Sequence, residues 1–417
     1  MVARCTSPAD VVHALNFVRQ HNVPFSLRGG GHNIAGNAVC DEGVMIDLSP
    51  MKKVDIDQQH HQGHVEPGCT LAEFDTAAQA YGLATPLGIN STTGVAGLTL
   101  GGGFGWLSRK YGLTVDNLLG VDIVTADGQQ LHASESENAD LFWGLRGGGG
   151  NFGIVTRFTF QLHPVGPNVL CGLIVFPFEQ AKSVITQFDR FTETMPDELN
   201  VWMVTRKAPP LPFLPEEVHG KEIVAFALCY AGDPAEGEKL IEPLRGFGTA
   251  YGEHIGVQPY TDWQQAFDPL LTPGARNYWK SHNFLTLDEG VIDTIIDYAS
   301  TLPSPQCEIF IATLGGQASR VDPQAMAYSS RDANYVLNVH ARWETAADDA
   351  RCITWARDFF ARSQPFASGG AYVNFLTEDE TDRTAFAYGA SYERLVAIKK
   401  QYDPENLFRI NQNIRPA

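Results

Sequence analysis

Three consecutive glycines, in Arg28-Gly29-Gly30-Gly31-His32-Asn33, follow directly on the apolar segment Val23-Pro24-Phe25-Ser26-Leu27. A short strand that opens into a loop without Cβ atoms restricts what can be built around it. Glycine takes positive φ at no steric cost and lets the backbone approach another surface closely. Successive amide N–H groups in such a loop form a concavity suited to an anion such as a pyrophosphate. Arg28 adds positive charge there, and His32 adds a ring nitrogen able to act as a nucleophile. Taken alone, the hexad fits a tight turn with a satisfied histidine better than a ligand loop, so its meaning depends on the rest of the chain.

Two further glycine clusters supply that context. Gly88, Gly94, Gly97, Gly101, Gly102, Gly103 and Gly105 fall within eighteen residues that carry no charge, and Gly147 to Gly150 precede Asn151-Phe152-Gly153. So many glycines cost backbone entropy on ordering, and the usual return is a backbone that lies against a flat or phosphorylated ligand. Gly148 to Gly153 formally satisfies G-x-G-x-x-G. The β-branched and aromatic run Ile154-Val155-Thr156-Arg157-Phe158 that follows reads as a strand, whereas a Rossmann loop must open a helix.

With the C-terminal Tyr402-Asp403-Pro404-Glu405-Asn406-Leu407-Phe408 and Asn411-Gln412-Asn413-Ile414, the three clusters resemble the flavin-binding pattern of the vanillyl-alcohol oxidase and p-cresol methylhydroxylase superfamily. Within it, the chain is most similar to the berberine bridge enzyme-like FAD-linked oxidoreductases over nearly its whole length. The resemblance implies an α+β fold, with a two-part FAD-binding domain and a substrate domain built on an antiparallel sheet flanked by helices. It divides the chain into 1–165 (FAD), 166–376 (substrate) and 377–417 (return to the FAD domain). It places the cofactor on Arg28, Gly29, Gly30, Gly31, His32, Asn33 and Gly36, and on Asn90, Thr92, Thr93, Gly94, Gly97, Gly101, Gly102, Gly103 and Gly105. Gly153, Val155, Asn411 and Asn413 complete that set. In the family, a histidine at the position of His32 bonds covalently to the flavin, and many members add a second link through a cysteine where this chain has Asn90. A single link through His32 is therefore expected.

The resemblance also implies catalytic roles. The tyrosine of Tyr372-Val373-Asn374 corresponds to the family's base. A phenol of pKa near 10 must fall by two to three units to act at neutral pH, about 3 to 4 kcal/mol, and a nearby cation is the simplest source. Lys280, in Arg276-Asn277-Tyr278-Trp279-Lys280-Ser281, is the expected cation, with Arg276 the other choice. The buried core tyrosine with a bonded hydroxyl remains the alternative for Tyr372. Thr93 matches a place that influences oxygen access, and its small side chain favours an oxidase. The expected reaction oxidises a C–H bond next to an alcohol or amine of a small substrate, with O2 as acceptor and H2O2 as product. A natural-product tailoring oxidase, a dehydrogenase with another acceptor, and a flavin-binding protein whose catalysis has decayed are the alternatives.

The 417 residues are long for one core and suit about two domains. A net charge of −18 repels nucleic acids and anionic membranes, so neither is an expected partner. Seven scattered cysteines without C-x-x-C argue against a disulfide framework and for a reducing, cytoplasmic setting. Relatives carry an additional N-terminal segment, so the sequence leaves open whether a leader precedes Met1. His60-His61-Gln62-Gly63-His64 reads as a polar turn and not as a metal site.

Local patterns predict a helix opened by Ser7 and Pro8, with Val11, Val12, Leu15 and Val18 on one face. Strands are predicted at 44–48, 121–125, 222–230, 307–313 and 335–343, with Asp127-Gly128 turning a hairpin. On 335–343 the period of two puts Tyr335, Leu337, Val339, Ala341 and Trp343 on one face, and Asn338, His340 and Arg342 on the other. The polar face is either solvated or, as the family's fold implies, over the flavin, where those three residues would meet substrate.

Overall fold

The structure is a computed structural model that describes residues 1–417 apart from the side chains of 381 and 382. The first helix, Pro8–His21, starts where Ser7 Oγ accepts the Asp10 amide N–H at 3.3 Å, and it ends at Asn22 in the left-handed region. Asp10 does not complete a capping box, because its carboxylate takes the Thr6 amide N–H at 2.9 Å. Val11, Leu15 and Val18 are buried against a parallel sheet in the order Val2–Arg4, Val44–Asp47, Phe25–Arg28. Strand Phe25–Arg28 thereby delivers the glycine hexad to the end of that sheet.

A five-stranded antiparallel sheet follows, in the order Val54–Asp57, Gln62–Val65, Ile154–Gln161, Leu118–Val124, Gln130–Ser134. The Asp127-Gly128 hairpin lies between the last two, with Gly128 at φ +87°. The strand after the third glycine cluster, Ile154–Gln161, is as expected, so that cluster opens no helix. Gly153 and Val155 pack inside this layer, Val155 within the core around Phe152, Phe158 and Phe160.

The largest sheet has seven antiparallel strands, in the order Gly252–Pro259, Asn168–Pro177, Glu222–Tyr230, Leu199–Lys207, Glu308–Thr313, Tyr335–Trp343, Arg276–Phe284. Helices Ala181–Thr192, Glu289–Ala299 and Asp349–Ser363 bury Phe188, Ile295 and Phe359 against one face, where Leu337, Val339 and Ala341 also lie. The opposite face meets Phe104, Trp106 and Tyr372. All nine residues of Tyr335–Trp343 are buried, so its polar face is not a solvated one.

The C-terminal helix Tyr392–Tyr402 and Ile414 share a core with Phe152 and Phe158. Their anchor is an ion pair without exposed surface: Lys399 Nζ donates to Asp403 Oδ2 at 2.6 Å and to the carbonyls of Asn151 and Phe408 at 2.8 Å. Asp403 also accepts the amide N–H groups of Leu407 (2.7 Å) and Phe408 (2.9 Å), which shapes the turn at Pro404. Removing one partner leaves an uncompensated buried charge. Asp403→Ala is therefore expected to cost about 3–5 kcal/mol, read from the denaturant midpoint. A loss below about 1 kcal/mol would mean that water reaches the Lys399 ammonium.

Candidate functional site

The first two glycine loops touch backbone to backbone. A Cβ on Gly94 would lie 2.5 Å from Gly30 N, and a Cβ on Gly29 would lie 2.8 Å from Pro67 O. This approach brings His32 to the Asn90–Thr93 turn. His32 Nε2 lies 2.9 Å from Thr92 Oγ1, and Asn90 Oδ1 accepts both the Thr92 hydroxyl (2.6 Å) and the Thr92 amide N–H (3.1 Å). Asp268, from the segment after Trp263, accepts the Ser91 hydroxyl (2.5 Å) and amide N–H (3.0 Å). Protein crowds His32 and burial lowers its pKa, with Asp268 opposing that shift, although the ring keeps an open edge toward solvent.

The other predicted cofactor residues divide in two. Gly36 and Gly97 have open space where a Cβ would stand, and Gly97 is exposed within helix Val95–Leu100. Arg28 and Gly31 are also exposed, while Asn33 Oδ1 takes the Asn37 amide N–H at 3.1 Å and Thr93 is half-buried. Asn411 Nδ2 donates to Gly150 O at 3.0 Å, so the C-terminal motif and the third glycine cluster meet, and the Oδ1 atoms of Asn411 and Asn413 are buried without a partner. Open glycines beside unpartnered polar atoms suit a flat, hydrogen-bonding ligand. By contrast, Gly101, Gly102, Gly103 and Gly105 are buried and pack on protein: Gly101 on Asn374, Gly102 on Tyr328 and Tyr372, Gly103 on Thr114, Gly105 on Leu87 O. Their missing side chains make room for neighbouring residues.

Tyr372 Oη accepts the Gly103 amide N–H at 3.1 Å and Asn374 Nδ2 at 2.9 Å. Its ring lies 4.8 Å from those of Phe104 and Phe375, in a wall that continues through Trp202 on one side and Trp279 on the other. Burial pushes the phenol up to about 12, with Asn374 and Gly103 pulling weakly the other way. The cation expected to depress it is elsewhere. Strand register pairs Lys280 with Val339 on the helix-covered face, where its ammonium meets Asp379 (2.8 Å) and Glu380 (3.1 Å). Arg276 pairs with Asp349. Trp279 and Ser281, one residue to either side of Lys280, are the ones that face Tyr372's side of the sheet.

On that side Asn338, His340 and Arg342 lie in one row, as the period of two requires. Two of them are engaged by protein. His340 has Glu308 at 3.3 Å from Nδ1 and Asn277 at 3.1 Å from Nε2, and Arg342 donates to Gln306 and Thr272. Burial lowers the His340 pKa despite Glu308. Burial also works against the Glu308 charge, but Arg206, with His340 and Arg342, outweighs it and keeps the carboxyl below its ordinary value. Asn338 alone of the three has a free polar atom, Oδ1. Among the described residues no His, Cys, Asp and Glu group of three or more could hold a metal ion, and no helix is long and apolar enough to cross a membrane.

Comparison with known proteins locates two matches in the chain: residues 1–134 match the FAD binding domain family, and residues 371–415 the berberine and berberine-like family. An FAD-linked oxidoreductase of Dictyostelium discoideum is 32% identical over 412 residues, covering 98% of this chain and 86% of that protein. The (R)-6-hydroxynicotine oxidase of Paenarthrobacter nicotinovorans is 31% identical, covering 100% and 91%. Among solved structures, 6-hydroxy-D-nicotine oxidase from Arthrobacter nicotinovorans superposes with a TM-score of 0.88 at 28% identity, covering 100% of this chain and 92% of that one. A chitooligosaccharide oxidase superposes with a TM-score of 0.86 at 25% identity, with the same coverage.

Sequence reasoning missed Asp268 and a buried carboxyl, Asp75, which no motif marks, and assigned no role to Trp279 within the segment 276–281. Asp75, on helix Leu71–Gln79, faces Gln264, whose Nε2 donates to Asp75 Oδ2 at 2.9 Å and to Gly88 O at 3.1 Å. The pair ties the second glycine loop to the helix Tyr260–Gln265. Burial raises the Asp75 pKa to about 7. The folded protein then keeps a proton that the unfolded chain releases above about pH 4, so stability falls as pH rises from about 4 to about 7 and is level beyond. Asp75→Asn is expected to match the parent near pH 4 and to exceed it above pH 7 by about 3 to 4 kcal/mol, in denaturant melts across pH. Parallel pH profiles for the two proteins would refute the raised pKa.

Proposed function

The chain belongs to the berberine bridge enzyme-like FAD-linked oxidoreductases, and from that premise we propose that it holds FAD covalently through His32 and oxidises a C–H bond next to an alcohol or amine of a small organic substrate. The open glycines Gly36 and Gly97 and the unpartnered Asn411 and Asn413 oxygens fit a cofactor of that shape. In this reading 1–165 and 377–417 carry the cofactor, and 166–376 the substrate. Held there, FAD would supply a two-electron acceptor for the substrate's hydride, with O2 as the final acceptor and H2O2 as product. Thr93, half-buried and small, keeps the approach for O2 open.

The observation that carries the covalent link is the chain from His32 through Thr92 to Asn90. Two donors on Asn90 Oδ1 fix its amide orientation, and one of them is the only proton of the Thr92 hydroxyl. That hydroxyl can therefore only accept from His32, so Nε2 carries the imidazole proton and Nδ1 keeps its lone pair. The lowered pKa holds the ring neutral. A neutral imidazole with a free Nδ1 in an open cleft is a competent nucleophile, and Asn90 offers no thiol for a second bond.

Tyr372 takes the substrate's hydroxyl or N–H proton. Because no cation lowers its pKa, the phenolate fraction rises about tenfold per pH unit up to about 12. Its two donors, Gly103 and Asn374, aim the oxygen and stabilise the phenolate once formed.

The isolated protein is expected to stay yellow after acid precipitation, to give a single flavinylated peptide containing His32, and to lose the bound flavin in His32→Ala. A flavin adduct on any cysteine would overturn the assignment of Asn90. With a substrate that bleaches the flavin anaerobically, Tyr372→Phe should slow reduction by about 10²–10⁴ and abolish the rise of rate with pH, at unchanged flavin content. A rate within a few-fold of the parent would make Tyr372 a packing residue.

A further inference from the structure

The face of the seven-stranded sheet turned toward Tyr372 carries an unusual concentration of buried polar atoms without partners. Trp279 Nε1 and Ser281 Oγ, on strand Arg276–Phe284, and Asn338 Oδ1, on the adjacent strand Tyr335–Trp343, are all buried and unpartnered. Ser281 and Asn338 are direct register partners, and Trp279 is two residues along the same face. Asn338 and Ser281 expose 0% and 2% of their surface, and Asn338 Nδ2 points away, donating to Lys280 O at 3.4 Å. Natural proteins rarely leave such atoms unsatisfied, because each costs the full desolvation of the group. The helix-covered face of the same sheet has none among its described strand residues.

The surroundings define what could satisfy them. The Phe310 ring, whose residue pairs with Asn338 across the next strand, and the Trp279 ring lie 6.2 and 5.4 Å from Phe375, which in turn lies 4.8 Å from Tyr372. Flat apolar walls thus run from the polar row to the reacting phenol. The charged groups on this face are already hydrogen-bonded: Arg206 pairs with Glu308 at 2.7 Å, and Arg342 donates to Gln306 and Thr272. Asn200 Oδ1, Trp202 Nε1 and both amide atoms of Asn283 are unpartnered on the same face; the row at Trp279, Ser281 and Asn338 offers one fixed donor, the indole N–H, one fixed acceptor, the amide oxygen, and a hydroxyl able to do either.

Resting on the reading of Tyr372 as the proton acceptor, we infer that the substrate is a planar molecule whose end remote from the oxidised C–H bears an uncharged group with both a donor and an acceptor, such as an amide or lactam. Its carbonyl takes the Trp279 N–H and its N–H reaches Asn338 Oδ1, with Ser281 completing the set. A carboxylate would leave Asn338 Oδ1 facing a second acceptor. An ammonium would leave the indole N–H unpaired.

Three probes that share one ring test this: benzamide, benzoate and benzylammonium, titrated calorimetrically into the isolated protein, with flavin content read separately from absorbance. Benzamide is expected to bind at least about tenfold more tightly than either ion, since each mismatch strands a buried polar atom. Asn338→Leu should remove that preference, weakening benzamide and relieving the acceptor–acceptor opposition to benzoate, and Ser281→Ala should weaken benzamide by a few-fold at unchanged flavin content. Equal or tighter binding of either ion, or benzamide binding that both variants leave intact, would overturn the inference. Absence of the preference in the unsubstituted protein, with flavin retained, counts against this pocket alone, whereas absence of flavin from a protein that still prefers benzamide counts against the cofactor reading and leaves the pocket standing.

Discussion

The rest of the site depends on a contact made without side chains, Gly30 against Gly94. A methyl group at Gly94 would press on the Gly30 amide nitrogen, and one at Gly30 would press on Gly94 in return. Because both positions lack Cβ atoms, a loop at the end of a parallel sheet and a turn some sixty residues later close to backbone distance. The hydrogen bond between His32 and Thr92, and through it the imidazole tautomer, follows from that approach. The same contact orders the turn from Asn90 to Thr93, onto which Asp268 reaches from 177 positions further along the chain.

Buried charge holds the surrounding layers together. Arg109, with 6% exposure, donates to the carbonyls of Met195, Leu199 and Leu314, so one guanidinium from the glycine-rich region ties down two strands' ends of the large sheet. Arg331 and Asp116 form a two-point ion pair at 2.6 and 2.8 Å, both side chains nearly inaccessible. Such pairs contribute little net stability over a well-packed apolar substitute, yet breaking one is costly. Their geometric demand sets the orientation of the sheet above Phe104 and Tyr372 more narrowly than apolar packing would.

A single residue of strand register separates structural from chemical roles in Arg276–Phe284. Lys280 looked like the natural neighbour for a phenolate, but alternation sends it among helices, to Asp379 and Glu380, while Trp279 and Ser281 go to the aromatic side. The phenol consequently has two neutral donors and no cation, and burial moves its pKa upward. The ionisation of Tyr372 is therefore governed by desolvation set against two neutral donors, a balance that no pairing of charges in the sequence foretells.

What the sequence by itself determined was local or periodic. The helix after Ser7, the strands at 222–230 and 335–343, the hairpin at Asp127-Gly128 and the strand after the third glycine cluster are all as their residues require, because propensity, capping and the period of two act over a few neighbours. The glycine motifs and Tyr372-Val373-Asn374 were legible as motifs, and the structure shows that Gly101, Gly102, Gly103 and Gly105 serve close packing within the protein. Only the tertiary structure decided which face Lys280 takes, that His340 and Arg342 are already engaged while Asn338 Oδ1 is free, and that Asp268 and Asp75 lie beside the glycine loops. Those outcomes depend on strand register and on contacts between residues as much as 189 positions apart, and the burial and electrostatics created there exist in no local stretch of chain.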